Sequence, residues 1–369
     1  MLVGLLILVY LYQIGTVDRF LGQVGFVSSR PPVAAPVPQS SAGNAITVLF
    51  NTPNLVYPDA RSQPARSPLA EAVIADFNAA RSSIDVAAFD FDLSSLTDAL
   101  LQAHERGVAI RLIVDSENVQ DANVAKETGR LQDAGIPITF QRTQPFMHNK
   151  FIVIDQAVTW TGSWNMTSND TYRNNNNFQR FVSSQMSADY TAEFEQLFAG
   201  QFGSNKTRLT RARRVQVGMA MVEVYFSPQD GAAQRVIDRL NRAQQRIRFM
   251  TFSFTSDPIA DAMIARRAAG VRVQGVFEAQ NANGTGSEFQ RLRRGNITVL
   301  PDGNCYVMHH KVIIIDDRTV ITGSYNFTSS AERYNDENLV IIDDPAVAQQ
   351  YVEEFNRVAA QAQAPTRCQ

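Results

Sequence analysis

The sequence predicts an α/β protein made of two similar halves. Apolar segments of strand length alternate with amphipathic segments of helical length across residues 46–200, and the same order returns across residues 216–362. Short sequences recur at matching places, since Gly107-Val108 returns as Gly270-Val271 and Phe89-Asp90-Phe91 returns as Phe252-Ser253-Phe254. Such recurrence indicates internal duplication. With 369 residues, 44% of them hydrophobic, the chain is long enough for two domains.

Each predicted element rests on a local pattern. Apolar, β-branched runs predict strands, and in the first half these cover 46–50, 84–91, 109–114 and 178–182. Helices are predicted at 68–80, with Pro68 at the first position, at 93–106, which Gly107 ends, and at 124–134 and 188–198. The second half repeats this order, with strands at 222–226, 247–252, 271–277 and 339–342 and helices at 232–243, 259–269 and 346–360.

Residues 1–19 are predicted to form a hydrophobic anchor. As a helix, the uncharged residues 1–17 would span roughly 26 Å, slightly less than a ~30 Å hydrocarbon core. No basic residue precedes this segment and no small-residue cleavage site closely follows it, so an uncleaved anchor is favoured over a removed signal peptide. A Pro-rich, semi-rigid linker at 20–45 would follow. We therefore expect a protein that is membrane-anchored by its N-terminus or secreted, in an orientation that the cancelling charges of Asp18 and Arg19 leave open.

The overall charge gives no sign of a nucleic-acid-binding surface. The formal net charge is −2, so the chain lacks a global basic field. Basic residues, Lys206 among them, concentrate in 201–215, which is interpreted as a solvated linker between the halves, with an anion-attracting patch as the alternative. Cys305 and Cys368 are too few for a disulfide framework or a Cys-rich zinc site, and Cys305 is interpreted as a small residue near a cleft.

One stretch of the chain occurs twice with fixed spacing. After each His, the Lys, Asp, Gly, Ser and Asn follow at the same intervals. The two copies comprise His148, Lys150, Asp155, Gly162, Ser163 and Asn165, and then His309, Lys311, Asp316, Gly323, Ser324 and Asn326. An apolar run between Lys and Asp predicts a buried strand, and a second strand is predicted at the Gly-Ser-x-Asn segment. A His and a Lys two residues apart at its start point to the same side, so each copy presents an imidazole beside an ammonium group.

Two imidazoles and two ammonium groups suit phosphodiester chemistry. A neutral imidazole can attack phosphorus to form a phosphohistidine, while a second, protonated imidazole gives its proton to the leaving alcohol and then takes one from water. Ammonium, amide and hydroxyl groups can hold the nonbridging oxygens. Because the imidazoles need opposite protonation states, activity should be bell-shaped in pH. No divalent metal or other cofactor is expected, and the sequence shows no compact carboxylate or Cys cluster that would hold one.

The doublet resembles the HxKxxxxD…GSxN signature of the phospholipase D superfamily, whose active site is made from two such copies. The resemblance implies two tandem phospholipase D-like αβα sandwich domains, at 46–200 and 216–362, related by a pseudo-two-fold axis. Their His-x-Lys strands would face each other across a shared cleft, so one chain would be complete as a monomer. The resemblance also implies that His148 is the nucleophile and His309 the acid and base. It places Lys150, Lys311, Asn165 and Asn326 on the phosphate, with Ser163 and Ser324 as donors or as support for neighbouring groups.

Three acidic residues complete the implied catalytic set. The motif includes Asp155 and Asp316, although each is expected at the far end of its strand, where stabilising a turn is the favoured role. In this family an acidic residue near position 337 accepts a hydrogen bond from an imidazole, which makes Glu337 a candidate; the matching residue of the first copy is Asn176. Only one imidazole would then have a carboxylate partner, and the sequence leaves open whether Glu337 reaches across the pseudo-dyad to His148.

The sequence thus predicts a metal-independent phosphodiesterase of the phospholipase D type. A phospholipid head group is the favoured substrate, giving phosphatidic acid, because the hydrophobic N-terminus would place the site near lipid. The alternative is an endonuclease that cleaves DNA or RNA by the same two-histidine chemistry, since the compact domains also resemble the superfamily's small nucleases. A phosphatidyltransferase and a non-catalytic scaffold that binds phosphorylated ligands are less favoured readings.

Overall fold

The computed structural model describes residues 45–53, 66–141, 145–209 and 214–365. They form two α/β domains of matching topology, one for each half of the sequence, which confirms the predicted fold class. The predicted anchor at 1–19 and nearly all of the predicted linker at 20–45 lie outside these residues. In the described ranges, no helix combines the length and the apolar character that crossing a bilayer requires.

The first domain is built on a seven-stranded mixed sheet. Its strands are β1 (Ile46–Asn51), β2 (Ser83–Ala88), β3 (Ala109–Asp115), β4 (Ile138–Gln141), β5 (Lys150–Ile154), β6 (Val158–Gly162) and β7 (Asn176–Val182). They lie in the order β1-β7-β6-β5-β2-β3-β4, in which β2, β3 and β4 are parallel and the other neighbours antiparallel. The motif strand β5 is central and buried along its whole length, as its apolar run predicts.

The second domain repeats this sheet and adds one strand. Its strands are β8 (Arg214–Val217), β9 (Ala220–Ser227), β10 (Arg246–Thr251), β11 (Arg272–Phe277), β12 (Thr298–Pro301), β13 (Lys311–Ile315), β14 (Thr319–Gly323) and β15 (Glu337–Asp343). Their order is β12-β11-β10-β13-β14-β15-β9-β8, so β13 takes the central place that β5 has in the first sheet. The extra strand β8 forms a hairpin with β9 at the edge.

Ten α-helices belong to the described part of the chain. They are α1 (Pro68–Ala79), α2 (Ser94–Glu105), α3 (Ala122–Asp133), α4 (Ser168–Tyr172), α5 (Ser184–Phe198), α6 (Ala232–Asn241), α7 (Asp257–Ala268), α8 (Phe289–Arg294), α9 (Ser329–Arg333) and α10 (Pro345–Gln363). Polar caps fix several starts: Ser67 Oγ accepts from the N–H of Ala70 ahead of α1, and Thr167 and Thr328 cap α4 and α9 in the same way.

The two domains share a hydrophobic core. On the outer faces, α1 and α2 cover the first sheet and α6 and α7 cover the second. On the inner side, α5 and α10 contribute Phe194, Tyr351 and Phe355 to a single cluster that also contains residues of both motif strands, such as Phe151 and Ile314. Burial of this shared surface from water holds the two motif strands in a fixed relation.

Every predicted strand and helix in the described residues is present, with its ends displaced by a few residues. The prediction omits only short elements: β4, β8, β12, α4, α8 and α9. Each of these elements has only four to six residues.

One interpretation of residues outside the motifs is wrong, and another is incomplete. Lys206 is neither solvated nor part of an anion-attracting patch, because its ammonium group is fully buried and pairs with Glu193 and, at 2.8 Å, with Asp336. Cys305 does lie in a loop near the cleft, as interpreted, and it is also disulfide-bonded. Cys368 lies outside the described residues.

Candidate active site

The motif strands β5 and β13 meet where the two domains touch. Just before each strand, the chain makes a short parallel bridge to the other domain. The backbone N–H of His148 donates to the carbonyl oxygen of Asp336 at 3.0 Å, and that of His309 donates to the carbonyl oxygen of Asn175 at 2.9 Å. Both histidines therefore line one cleft of about 560 Å³ that draws its walls from both domains.

Each motif lysine is anchored beneath its histidine. Lys150 Nζ donates to the carbonyl oxygen of the histidine two residues earlier at 2.9 Å, and Lys311 Nζ does the same at 2.8 Å. The rings of Phe89 and Phe252 lie 4.8 and 4.7 Å from these ammonium groups and pack edge-on against the motif imidazoles. Neither phenylalanine is among the predicted site residues, although their recurrence in the internal repeat is a signal that could have found them.

The carboxylate of Glu337 supports His148 from the other domain. Oε2 of Glu337 lies 2.8 Å from His148 Nδ1 and also accepts a hydrogen bond from Ser324 Oγ at 2.6 Å. The support therefore crosses the pseudo-dyad, which answers the question that the sequence leaves open. With Nδ1 held in this way, Nε2 is the nitrogen of His148 that remains for chemistry.

Two side chains of the first domain support His309. Its Nδ1 lies 3.1 Å from Asn176 Oδ1, the position that matches Glu337, and 3.3 Å from Asp170 Oδ2. The expectation that only one imidazole has a carboxylate partner is therefore wrong. Asp170 lies in the short helix α4, which the sequence does not predict, and no member of the motif marks it.

The serines and asparagines of the motif occupy different places. Ser163 and Ser324 are fully buried behind the imidazole partners, where their hydroxyl groups donate to Asn176 Oδ1 and Glu337 Oε2. This geometry fits support of neighbouring groups rather than contact with phosphate. Asn165 and Asn326 line the cleft, and the Oδ1 atom of each has no hydrogen-bond partner within the described residues, which leaves these amides for a ligand.

The motif aspartates lie away from the reacting groups. The carboxylate of Asp155 accepts from the backbone N–H groups of residues 81, 82 and 83 at 2.9, 2.7 and 3.0 Å. Asp316 accepts in the same way from residues 244, 245 and 246. Both residues have positive φ, 52° and 53°, in the turn that follows the motif strand. We therefore remove Asp155 and Asp316 from the predicted catalytic set. Each carboxylate stabilises a turn instead, which is the role that the sequence favours.

The motif glycines make room for the backbone beside the site. A Cβ atom at Gly162 would lie 2.3 Å from the carbonyl oxygen of Asn177, and one at Gly323 would lie 2.3 Å from that of Asn338. A methyl group cannot fit at that distance without backbone movement. The Gly-Ser step therefore depends on glycine, because it brings the serine beneath the imidazole partner.

Comparison with known families agrees with this geometry. The family model described as "Cardiolipin synthase, PLD-like domain" matches the chain twice, over residues 73–198 and 236–359. The chain belongs to the phospholipase D superfamily. Its two phospholipase D-like domains each supply one His-x-Lys pair to the common cleft, and relatives in the superfamily identify it as a phosphodiesterase.

Several relatives of this phospholipase D-like chain have names. Phospholipase D of Rickettsia conorii is 32% identical over 146 residues, 39% of this chain and 73% of that protein. Mitochondrial cardiolipin hydrolase of Xenopus tropicalis is 33% identical over 129 residues, 35% of this chain and 61% of that protein. The crystal structure of phosphatidylserine synthase from Haemophilus influenzae aligns with a TM-score of 0.62 at 15% identity, covering 84% of this chain and 86% of that one, which shows a shared fold.

Burial dominates the electrostatics of this phospholipase D-type site. It lowers the pKa of His148 well below the ordinary value, and the charges of Lys150 and Lys311 add to this effect. Burial and Lys311 lower the pKa of His309 to about 3. Burial also lowers the pKa of Lys150 to about 8 and raises that of Glu337 to about 8. Both imidazoles are thus neutral near pH 7 without substrate, and a phosphodiester anion would favour protonation of the groups around it.

Proposed function

We propose that the protein hydrolyses a phosphodiester in two steps without a metal ion. The observation that carries this proposal is the paired arrangement of the imidazoles. His148 and His309 line one cleft, each with Nδ1 held by a polar side chain and Nε2 left for the substrate. Two buried ammonium groups, Lys150 and Lys311, lie beside them to hold the nonbridging oxygens.

In the first step, Nε2 of His148 attacks phosphorus, a P–N bond forms and the bond to the leaving oxygen breaks. His309 gives a proton to that oxygen, which departs as an alcohol. In the second step, the now neutral His309 takes a proton from water while the water oxygen attacks phosphorus. The P–N bond breaks, which leaves a neutral His148 and a protonated His309 beside the phosphate product, as in the substrate complex. This order follows the superfamily's usual assignment and the tight Glu337 contact at His148.

We propose further that the substrate is a phospholipid, cleaved at its head group. The relatives named phospholipase D support a lipid substrate. The charge of the cleft supports it too, because Asp90, Asp92 and Asp121 line the wall from the first domain. Ser253 and Thr255 stand at the places of Asp90 and Asp92 in the second domain. Carboxylates at this entrance would repel a long polyanion such as DNA or RNA more strongly than a single phosphodiester in a bilayer.

A substrate panel tests this proposal. The full chain is incubated, with EDTA present, with phosphatidylcholine vesicles, cardiolipin vesicles, single-stranded DNA and RNA. We expect release of head group and phosphatidic acid, lost in His148→Ala and His309→Ala. His104→Ala is the matched control, since His104 lies in α2 outside the cleft, and it should keep full activity. If the protein cleaves DNA or RNA and neither lipid is hydrolysed, the lipid proposal is wrong and the endonuclease alternative takes its place. Activity that EDTA abolishes and a metal restores would overturn the mechanism.

The location of the enzyme stays a prediction. A lipid substrate would fit an anchor at residues 1–19, which the sequence predicts and which lies outside the described residues. Flotation of the full chain with vesicles, compared with a chain that begins after this segment, would test the anchor independently of catalysis.

A further inference from the structure

The two domains differ at the positions that support the imidazoles. At the start of the last sheet strand of each motif, the first domain has Asn176 where the second has Glu337. In the short helix before that strand, the difference is reversed, since the first domain has Asp170 where the second has Ala331. Each domain therefore supplies one carboxylate to the cleft, but from a different element.

Asp170 is placed and held as an anion beside His309. It is almost fully buried, with Oδ2 lying 3.3 Å from His309 Nδ1. The same Oδ2 accepts from the backbone N–H of Asn165 at 2.7 Å, and Oδ1 accepts from the side-chain amide of Asn174. Burial alone would raise the pKa of Asp170, but His309 and these hydrogen bonds bring it below the ordinary value. The carboxylate is thus ionised across the neutral range.

Capping of α4 does not account for Asp170. The cap is Thr167, whose Oγ1 accepts from the backbone N–H of Asp170. In the second domain, α9 has the same length and the same threonine cap, at Thr328, with Ala331 at the matching position. A helix of this kind therefore forms without a carboxylate there, and what the carboxylate adds is its approach to His309 and its hydrogen bonds from Asn165 and Asn174.

We propose that Asp170 is the positioning residue of His309, a carboxylate supplied from helix α4 in place of the glutamate that the first domain lacks at Asn176. This inference rests on the two-histidine mechanism proposed above. An ionised carboxylate stabilises a neighbouring imidazolium, so Asp170 favours the protonated state that His309 needs as the acid. The other charged groups that face His309 are Lys311 and Lys150, both of which oppose its protonation. Asp170 is the acidic group that offsets them.

The test removes the carboxylate and then restores one at the other position. Asp170→Asn should lower kcat on an alkyl phosphodiester by about 10- to 100-fold, with little change in KM. The basic limb of the pH–rate profile, which reports loss of the His309 proton, should move to lower pH. Adding Asn176→Glu to Asp170→Ala should recover much of the activity, because it copies the contact between Glu337 and His148. Asp76→Asn, a change of a carboxylate that pairs with Arg180 outside the cleft, is the control and should match the wild type.

A leaving group that needs no proton separates positioning from a general structural effect. With a p-nitrophenyl phosphodiester, the first-turnover burst should be nearly unaffected by Asp170→Asn, while the alkyl substrate is slowed. Equal slowing of both substrates, or no recovery in the Asp170→Ala/Asn176→Glu double variant, would overturn the inference. The inference would also be overturned if Asp170→Asn showed wild-type kinetics while His309→Ala was inactive. Steady turnover of the alkyl substrate by His309→Ala would instead overturn the two-histidine mechanism on which the inference rests. If Asp170→Ala does not fold, the isosteric Asp170→Asn decides.

Discussion

The buried carboxyl group of Glu337 predicts that stability and activity will move in opposite directions. Its side chain is fully buried, with Oε2 in contact with His148 Nδ1 and Ser324 Oγ. Glu337→Gln keeps the size and one acceptor oxygen but removes the titratable group. Above pH 8, where Glu337 is ionised, we expect kcat to fall by about 10- to 100-fold in the variant, because an amide orients His148 without stabilising positive charge on the ring during attack.

The stability effect depends on pH. Folding raises the pKa of Glu337 from its ordinary 4.5 to about 8, with burial as the largest cause. A group whose pKa rises on folding contributes stability that is complete below pH 4.5 and is lost as pH rises to 8. At ~1.4 kcal/mol per pKa unit, the wild type should lose about 4 kcal/mol relative to Glu337→Gln across this range. The variant should therefore be the more stable protein at pH 8 and gain little at pH 4.5.

Urea unfolding of both proteins at pH 4.5, 6 and 8, together with steady-state kinetics above pH 8, checks this prediction. Comparison at each pH removes the contribution of all other titrating groups, because they are common to both proteins. An unchanged difference in unfolding free energy from pH 4.5 to 8 would refute the raised pKa. Full activity in Glu337→Gln would refute the support of His148.

Three other substitutions test the roles assigned around the site. Asp155→Ala leaves three backbone N–H groups without their acceptor and should cost about 1–3 kcal/mol in urea unfolding, while kcat of the folded enzyme stays unchanged; a selective loss of kcat would return Asp155 to the catalytic set. Lys206→Met leaves two buried carboxylates without their cation and should destabilise by about 3–5 kcal/mol, so a stable variant would contradict the buried pairing. Gly162→Ala should lower both melting temperature and activity because of the contact with Asn177, whereas Gly129→Ala, in an open position of α3, should raise stability by up to about 1 kcal/mol.

The sequence predicts the parts of the site that follow from local spacing. The interval from His to Lys places both groups at the start of a buried strand, and the apolar runs that follow make β5 and β13 central. The same reasoning predicts that Asp155 terminates its strand in a turn. In each case, a single strand determines the position of the residue, and the apolar run that predicts this strand is visible in the sequence.

The sequence does not predict contacts that depend on how the domains pack. Glu337 could contact His309 of its own domain or His148 of the other domain. The choice depends on how the two domains pack, and the spacing of residues in the sequence does not determine that packing. The contact of Asp170 is not predictable from the sequence, because α4 has only five residues and the partner His309 is in the other domain. The sequence predicts a solvated linker around Lys206, because it does not show that Lys206 pairs with Glu193 and Asp336. Alignment of the two repeats shows only that Asp170 stands against Ala331 and Asn176 against Glu337.

Trapping of the covalent intermediate tests the central claim most directly. In His309→Ala, a p-nitrophenyl phosphodiester can still react, because p-nitrophenolate leaves without a proton, but the second step lacks its base. We expect one equivalent of p-nitrophenolate to be released and the phosphoryl group, still carrying its second ester, to accumulate on His148, located by mass spectrometry after an alkaline quench. His148→Ala should give neither. Accumulation on another residue, or steady turnover of His148→Ala, would contradict the two-histidine account.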